Sequence, residues 1–238
     1  MQAVILAGGK GTRLKPYTTV FPKPLVPISD YPILEIVIRQ LARAGFDRVT
    51  ISTGHLAELI EAYFRDGRRW NIRIEYVREG KPLNTAGALK LVENCDEHFL
   101  VMNGDILTTL DYAKLFQMHL DRKVMVTVAT KVRESKIDFG VVEIDKDGYL
   151  SGYREKPVYT FPVSMGIYIL SRSCRDLIGK GESLGMPELL LRIKGSGGRV
   201  YCHQADCYWL DIGRVDDYEQ AQEEFEANKA QFLGEDEP

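Results

Sequence analysis

Five apolar residues in a row, Ala3 to Ala7, run directly into Gly8-Gly9-Lys10-Gly11-Thr12-Arg13-Leu14, and few folds accept that junction. A continuous apolar run ended by glycines reads as a strand buried on both faces, the mark of a parallel sheet covered by helices on each side. Glycines at its end let the chain turn sharply and bring several backbone N–H groups to one point, a geometry that receives polyphosphate. Arg13 adds a planar fork, permanently charged, that can hold two phosphate oxygens. The turn is not a P-loop, which needs Gly-Lys-Ser/Thr after four spacers. Nor is it a full GxGxxG, which would need glycine where Leu14 stands.

The rest of the first half keeps the same alternation. Pro32 to Ala44 has helical periodicity, with proline at its start and Gly45 just past its end. Val49 to Thr53 follows as a strand, Leu56 to Phe64 as a helix, and Asn71 to Val77 as a strand. Thr85 to Asn94 reads as a helix with Asn84 as its N-cap, and Phe99 to Met102 as another buried strand. From Val124 the texture changes to strands: Val124–Thr130, Gly140–Asp145, Tyr149–Glu155 and Ser164–Leu170, with an Asp147-Gly148 hairpin turn. This stretch is expected to add to the sheet edge and cover one end of it. Arg214 to Gln231 reads as a charged helix, and the last four residues, Glu-Asp-Glu-Pro, as a frayed end. The expectation is one α/β domain over 1–238, a mixed, mostly parallel sheet flanked by helices, with parts 1–110, 111–220 and 221–238.

Composition narrows the class. With 238 residues, 45% hydrophobic and 27% charged, the chain has ample material for a core. A formal net charge of −3 creates no field to recruit nucleic acid or an anionic membrane. The four cysteines form no CxxC pair, and Cys202, His203 and Cys207 lack a fourth ligand at zinc spacing, so the thiols read as reduced. The chain opens on a strand pattern without a basic leader, and no apolar run approaches a membrane span. Together these predict a soluble, cytoplasmic protein.

Three further residues carry charge chemistry. Lys23 lies between Pro22 and Pro24, which are expected to hold it extended and rigid, suited to a phosphoryl group under attack. Read alone, it is also an ordinary loop lysine. Asp105 ends the strand Phe99–Met102 after Asn103 and Gly104, where ligands of open α/β sheets gather. Asp211 ends a second apolar segment, Tyr208-Trp209-Leu210. Each aspartate alone could serve as a turn or cap residue. Two carboxylates from separate strand ends, with waters and phosphate oxygens completing the shell, suit Mg²⁺ (or Mn²⁺).

In order, LAGGKGTRL, FPKPLVP, PLNTAGAL, NGD, FGVV, EKP, MGIYIL and WLDIG make the chain resemble the sugar-1-phosphate nucleotidylyltransferases, the NDP-sugar pyrophosphorylases, from Met1 to about Tyr218. Each piece is weak alone; their order is specific. The resemblance implies a Rossmann-like fold with a nucleotide-binding half and a strand-rich sugar-binding half. It also implies a divalent cation, and in-line attack of a sugar 1-phosphate on the α-phosphorus of a nucleoside triphosphate. Leu6, Ala7, Gly8, Gly9, Gly11, Thr12, Arg13 and Lys23 would then cradle the triphosphate. Glu79, Asn84, Thr85, Ala86, Gly87, Asn103 and Gly104 would face base and ribose, with Glu79 able to accept from a guanine edge. Asp105, Gly140, Glu155, Lys156, Ser164, Met165 and Gly166 would hold the sugar phosphate, and Asp105 and Asp211 the metal. Arg13, Lys23 and Asp105 are the expected catalytic residues.

Three departures bear on substrate choice. Asn84 stands where the family often has glycine, Ser164-Met165-Gly166 replaces Asn-Ala-Gly, and Arg214 replaces a frequent threonine. GTP with a mannose- or heptose-1-phosphate is the expected pair, and UTP, dTTP or CTP with another hexose or amino-sugar phosphate the alternative. Two rival classes are a phosphocholine-type cytidylyltransferase, which would need a cage for its cation, and a non-catalytic regulatory relative, which would lose Lys23, Asp105 or Asp211. By resemblance the chain could assemble as a homodimer or homotetramer.

Overall fold

The computed structural model describes residues 1–234; the Glu-Asp-Glu-Pro end, expected to fray, lies outside the described residues. In chain order the strands are β1 (Gln2–Ala7), β2 (Pro27–Ile28), β3 (Tyr31–Pro32), β4 (Arg48–Thr53), β5 (Arg73–Arg78), β6 (His98–Asn103), β7 (Ile106–Thr108), β8 (Val126–Lys136), β9 (Val141–Ile144), β10 (Leu150–Arg154), β11 (Val158–Ser171), β12 (Val200–Gln204) and β13 (Trp209–Asp211). The helices are α1 (Ile33–Arg43), α2 (Ala57–Phe64), α3 (Asn84–Gly87), α4 (Tyr112–Arg122), α5 (Met186–Gly195), α6 (Val215–Ala227) and α7 (Lys229–Leu233).

Seven strands form one sheet in the order β12-β8-β11-β6-β1-β4-β5. All run parallel except β11, which is antiparallel to both β6 and β8. The alternation of β1 explains its central place. Ala3, Ile5 and Ala7 pack into one core with Leu34, Val37, Ile38 and Leu41 of α1, while Val4 enters a second core with Leu89, Leu189 and Ile193. Each such aliphatic side chain contributes about 1.5–3 kcal/mol on full burial. A third core joins α6 and α7 to Leu14, Leu107 and Leu210. Among the described residues no helix is long and apolar enough to cross a membrane.

Helix α1 ends as its sequence dictates. Gly45 takes φ +85°, Phe46 N–H bonds Leu41 O at 3.0 Å, and Gly45 N–H bonds Ala42 O at 3.0 Å, a complete left-handed C-terminal motif that a β-branched residue at Gly45 would break.

The structure differs from expectation in several places. The segment Thr85–Asn94 is not one helix but a single turn, α3, followed by a 3-10 turn over Ala88–Leu91. Asn84 does not cap it; Leu83 holds that position, and Asn84 sits in left-handed backbone at φ +58°. Residues 112–122, 186–195 and 200–204, unassigned from the sequence, form α4, α5 and β12; Asp111 caps α4 by accepting from Lys114 N–H at 2.9 Å. The helix expected over Arg214–Gln231 breaks at Asn228, between α6 and α7. The second half adds β8, β11 and β12 to the sheet, but it does not simply cover one end. Beyond Thr130 and before Ser164, β8 and β11 leave the sheet as a two-stranded arm carrying the β9–β10 hairpin, and most of that arm is exposed.

Candidate active site

The parallel strands β1, β4, β5 and β6 all end on one edge of the sheet, and the motif residues follow those ends. After β1, Gly8 faces Glu79, and an added Cβ there would collide with Glu79 Oε1. Gly54, after β4, packs so closely that a Cβ would lie 2.7 Å from Gly8 O. Gly9 is exposed, with nothing within 4 Å of a Cβ position, so its backbone is open to a ligand. Gly11 is required by geometry: at φ +59° its Cβ position is 3.0 Å from both Lys23 Cβ and Thr18 Cγ2. Thr18 Oγ1 donates to Gly11 O at 2.8 Å and fixes the loop.

Lys23 is buried, and its ammonium bonds Asp105 Oδ2. Its backbone is not extended as the flanking prolines suggest. Leu25 N–H reaches Pro22 O at 2.9 Å and Val26 N–H reaches Lys23 O at 3.0 Å, closing a 3-10 turn over Lys23–Leu25.

Asp105 and Asp211 are brought together by the β7–β13 ribbon. Asp211 pairs with Ile106 across it, and Ile212 N–H donates to Asp105 O at 3.1 Å. Burial of its carboxylate and the charge of Asp105 raise the Asp211 pKa, while Lys23 and Arg13 pull it down. Arg13 lies beside this pair, its Nη1 3.6 Å from the Cβ position of Gly213. Asp105 Oδ1 is buried and, among the described residues, has no hydrogen-bond partner. A carboxylate oxygen in that state costs about 1–3 kcal/mol unless a cation or ligand meets it. Glycine turn, lysine, arginine and paired aspartates thus stand together at one edge of the sheet.

Residues 2–228 match the sequence profile of a family described as nucleotidyl transferase. The chain belongs to that family. Among curated relatives, a UTP–glucose-1-phosphate uridylyltransferase of Synechocystis is 36% identical over 93% of this chain and 62% of the relative. A D-glycero-alpha-D-manno-heptose 1-phosphate guanylyltransferase of Aneurinibacillus thermoaerophilus is 33% identical, covering 95% of this chain and 99% of the relative. The crystal structure of HddC from Yersinia pseudotuberculosis complexed with GMP-PN superposes with a TM-score of 0.73 at 29% identity, over 94% of this chain and 99% of that one. The chain therefore spans about 62% of the Synechocystis relative's length and nearly all of the other two.

The fold fixes the other expected residues in different ways. Glu79 is held by Ser52 Oγ, which donates to Oε1 at 3.1 Å, and by Leu83 N–H, which donates to Oε2 at 3.0 Å. Each carboxylate oxygen keeps a lone pair that these bonds do not use. Ala86 and Gly87 direct their N–H groups to Leu184 O at 2.9 and 3.0 Å, and Thr85 Oγ1 accepts from Met186 N–H at 2.8 Å. Asn84 and Thr85 remain exposed. Ala7 is buried, and Leu6 O accepts from Gly104 N–H at 3.0 Å. Gly104 is close-packed, its Cβ position 3.1 Å from Ile5 Cγ2. Asn103 lies against Gly166, whose φ is +72° and whose Cβ position is 2.7 Å from Asn103 Nδ2.

Two expectations on the sugar side change. The Met165 side chain is in the core and its carbonyl accepts from Trp209 Nε1 at 3.0 Å, so no side-chain contact from it is available. Ser164 Oγ is bonded to Tyr168 Oη at 2.9 Å and accepts from Gly166 N–H at 3.2 Å. Gly140 packs on the Tyr153 hydroxyl, which donates to Glu155 Oε2 at 3.2 Å. Lys156 is exposed at φ +42°. Among the described residues no hydrogen bond or ion pair joins Glu155 or Lys156 to Lys23, Asp105 or Asp211. Thr18, Ser52, Gly54 and the segment from Glu182 to Met186 were not singled out in the sequence. Only Gly54, a glycine directly after a strand, carried a signal that could have marked it.

Proposed function

We propose that this nucleotidyl transferase joins a nucleoside triphosphate to a sugar 1-phosphate, with GTP and a mannose- or heptose-1-phosphate as its pair. The observation that carries this reading is the unpartnered, buried Asp105 Oδ1 beside Asp211 and Lys23, at the edge where the glycine turn opens. A phosphate oxygen of the sugar 1-phosphate attacks the α-phosphorus, the α–β anhydride bond breaks, and its electron pair leaves on pyrophosphate. The attacking phosphate is already ionised, so no general base is needed. Positioning and neutralisation do the work. In this reading Gly8, Gly9, Gly11 and Thr12 cradle the triphosphate, Arg13 and Lys23 balance charge in the transition state, and Glu155 and Lys156 receive the sugar phosphate.

Mg²⁺ or Mn²⁺ fits the aspartate pair, because two carboxylates that repel one another, one with an orphaned oxygen, ask for a hard cation that keeps several waters. Asp105 and Asp211 would hold it, and when bound it supplies charge neutralisation to the triphosphate. The guanylyltransferase relative of almost the same length and the GMP-PN complex support the guanine choice. A second reading, UTP with a hexose 1-phosphate, is favoured by the 36% identical uridylyltransferase.

A second copy of the chain is the partner the arm fits. Nine exposed large apolar side chains lie between 132 and 161. Four free thiols suit a cytoplasmic setting. Pyrophosphate release across four nucleoside triphosphates and a panel of sugar phosphates, with phosphocholine as a control, tests the reaction. Release with GTP and a manno-configured phosphate is expected. Release only with CTP and phosphocholine, or with no pair, would overturn it.

A further inference from the structure

The turn proposed to face base and ribose is not self-supporting. α3 is a single turn, and its first amides would ordinarily be free for a ligand. Here they are consumed by a segment about a hundred residues further on. Leu184 O accepts from both Ala86 and Gly87 N–H at 2.9 and 3.0 Å, and Leu184 N–H donates in return to Leu83 O at 3.0 Å. Met186 N–H donates to Thr85 Oγ1 at 2.8 Å. Contact is so close at Gly87 that any Cβ would collide with Glu182 O. Segment 182–186 is a strap laid across the nucleotide turn.

The strap is anchored at its own start. Glu182 takes a two-pronged bond from Arg192 of α5, at 2.6 and 3.0 Å, and a bond from Gly179 N–H at 2.8 Å. Its carboxylate is clamped to the last turn of α5 and cannot drift without opening that fork. The next residue of the strap, Ser183, touches Asn84. This residue holds φ +58°, backbone that glycine adopts freely and other side chains resist, and its Nδ2 donates to Ser183 Oγ at 3.0 Å. Asn84 is exposed and lies immediately beside Thr85, at the mouth of the turn.

We infer that the strap, through Ser183, is a positioning device for the nucleoside: Ser183 holds Asn84 in the left-handed conformation that shapes the base-and-ribose side of the site. The inference deepens the proposed function and rests on its placing of the nucleotide at residues 84–87. Ser183 touches Asn84 and is a positioning residue, not a catalytic one. Freed of Ser183, the Asn84 side chain and backbone sample other conformers, and the bound nucleotide must order them again. The effect falls on nucleotide affinity and spares the chemical step.

Steady-state pyrophosphate release with each substrate varied in turn tests this. For Ser183→Ala, KM for the nucleoside triphosphate rises about 2- to 10-fold, the range of one neutral hydrogen bond, while kcat and KM for the sugar phosphate stay within about 2-fold. Asn84→Gly keeps the backbone conformation but loses the bond, and the double variant is no worse than Ser183→Ala alone, because both remove one contact. An unchanged nucleotide KM in Ser183→Ala, with Glu79→Gln still raising it, overturns the strap and leaves the nucleotide placement standing, since Glu79 bonds Ser52 and Leu83 and not the strap. If Ser183→Ala, Asn84→Ala and Glu79→Gln all leave nucleotide KM unchanged, the proposed nucleotide placement fails with it. A rise in both KM values together with a lowered melting temperature would show a merely structural bond and would also overturn the inference.

Discussion

Lowering the pH from 7 to 5 should destabilise this protein chiefly through one buried histidine, with a contribution of the same sign from His203, whose pKa is lowered first by burial and then by Lys114 and Arg122. His119 of α4 is completely buried, its Nε2 3.0 Å from His98 Nδ1 and its Nδ1 3.0 Å from Thr127 Oγ1. Burial, and then the neighbouring His98, push its pKa down to about 4. The unfolded chain takes a proton near pH 6.5, whereas the folded chain waits until about pH 4. Between those values the unfolded state binds more protons, so stability rises with pH and is lost as pH falls. Linkage over the step from pH 7 to 5 gives a loss of about 2 kcal/mol, or roughly 4–8 °C in melting temperature for a chain of this size. The paired carboxylates do not confuse the window. Glu35, Asp47, Glu61 and Glu182 all have lowered pKa values, so their contributions fade only below the ordinary carboxylate range. Differential scanning fluorimetry at pH 7 and 5 on the wild type and His119→Gln reads the effect directly. The variant starts lower but loses less between the two values. Equal losses in both proteins would refute the assignment to His119.

Other expectations are equally concrete. Asp105→Asn lowers turnover at least ~100-fold, the scale of one electrostatic group in catalysis, and near-wild-type turnover in that variant would contradict its place in the metal pair. Gly166→Ala combines strain at φ +72° with a Cβ 2.7 Å from Asn103 Nδ2, and should cost about 1–2 kcal/mol in urea unfolding. Wild-type protein is expected to run as a dimer by light scattering, and Ile144→Asp with Leu150→Asp as a monomer. A monomeric wild type would remove the arm as an interface.

Much of the sheet was legible because its signals are local. The AVILA run followed by glycine, the proline-to-glycine span of α1, and the Asn103-Gly104-Asp105 corner each state their structure within a few residues. Much of what escaped reading depended on partners distant in sequence. Helix α3 is short because its amides answer to Leu184, whereas the turn at Lys23 is local, closed on Pro22 O and Lys23 O. The Met165 side chain reads as part of a sugar motif, yet it faces the core because β11 alternates like any strand and Trp209 claims its carbonyl. At Asn84 the sequence showed a departure from glycine, and the positive φ explains why asparagine is the substitute tolerated there. The candidate site divides the same way. The glycine turn, Lys23 and both aspartates were readable from strand ends and motif order, whereas their braces Thr18, Ser52 and Ser183 were invisible without the tertiary fold.

The β7–β13 ribbon also sets a timetable. Asp105, in the turn before β7, and Asp211, at the end of β13, lie roughly a hundred residues apart, and at roughly ten residues per second of synthesis the second aspartate leaves the ribosome on the order of ten seconds after the first. Until then a nascent chain carries the glycine turn, Lys23 and Asp105 but only half of the acid pair. The ribbon that completes that pair also brings Leu210 and Ile212 into the core shared with Leu14 and Phe225. Closing the centre and sealing that core are one event, so a chain cut short before Trp209 forfeits both together.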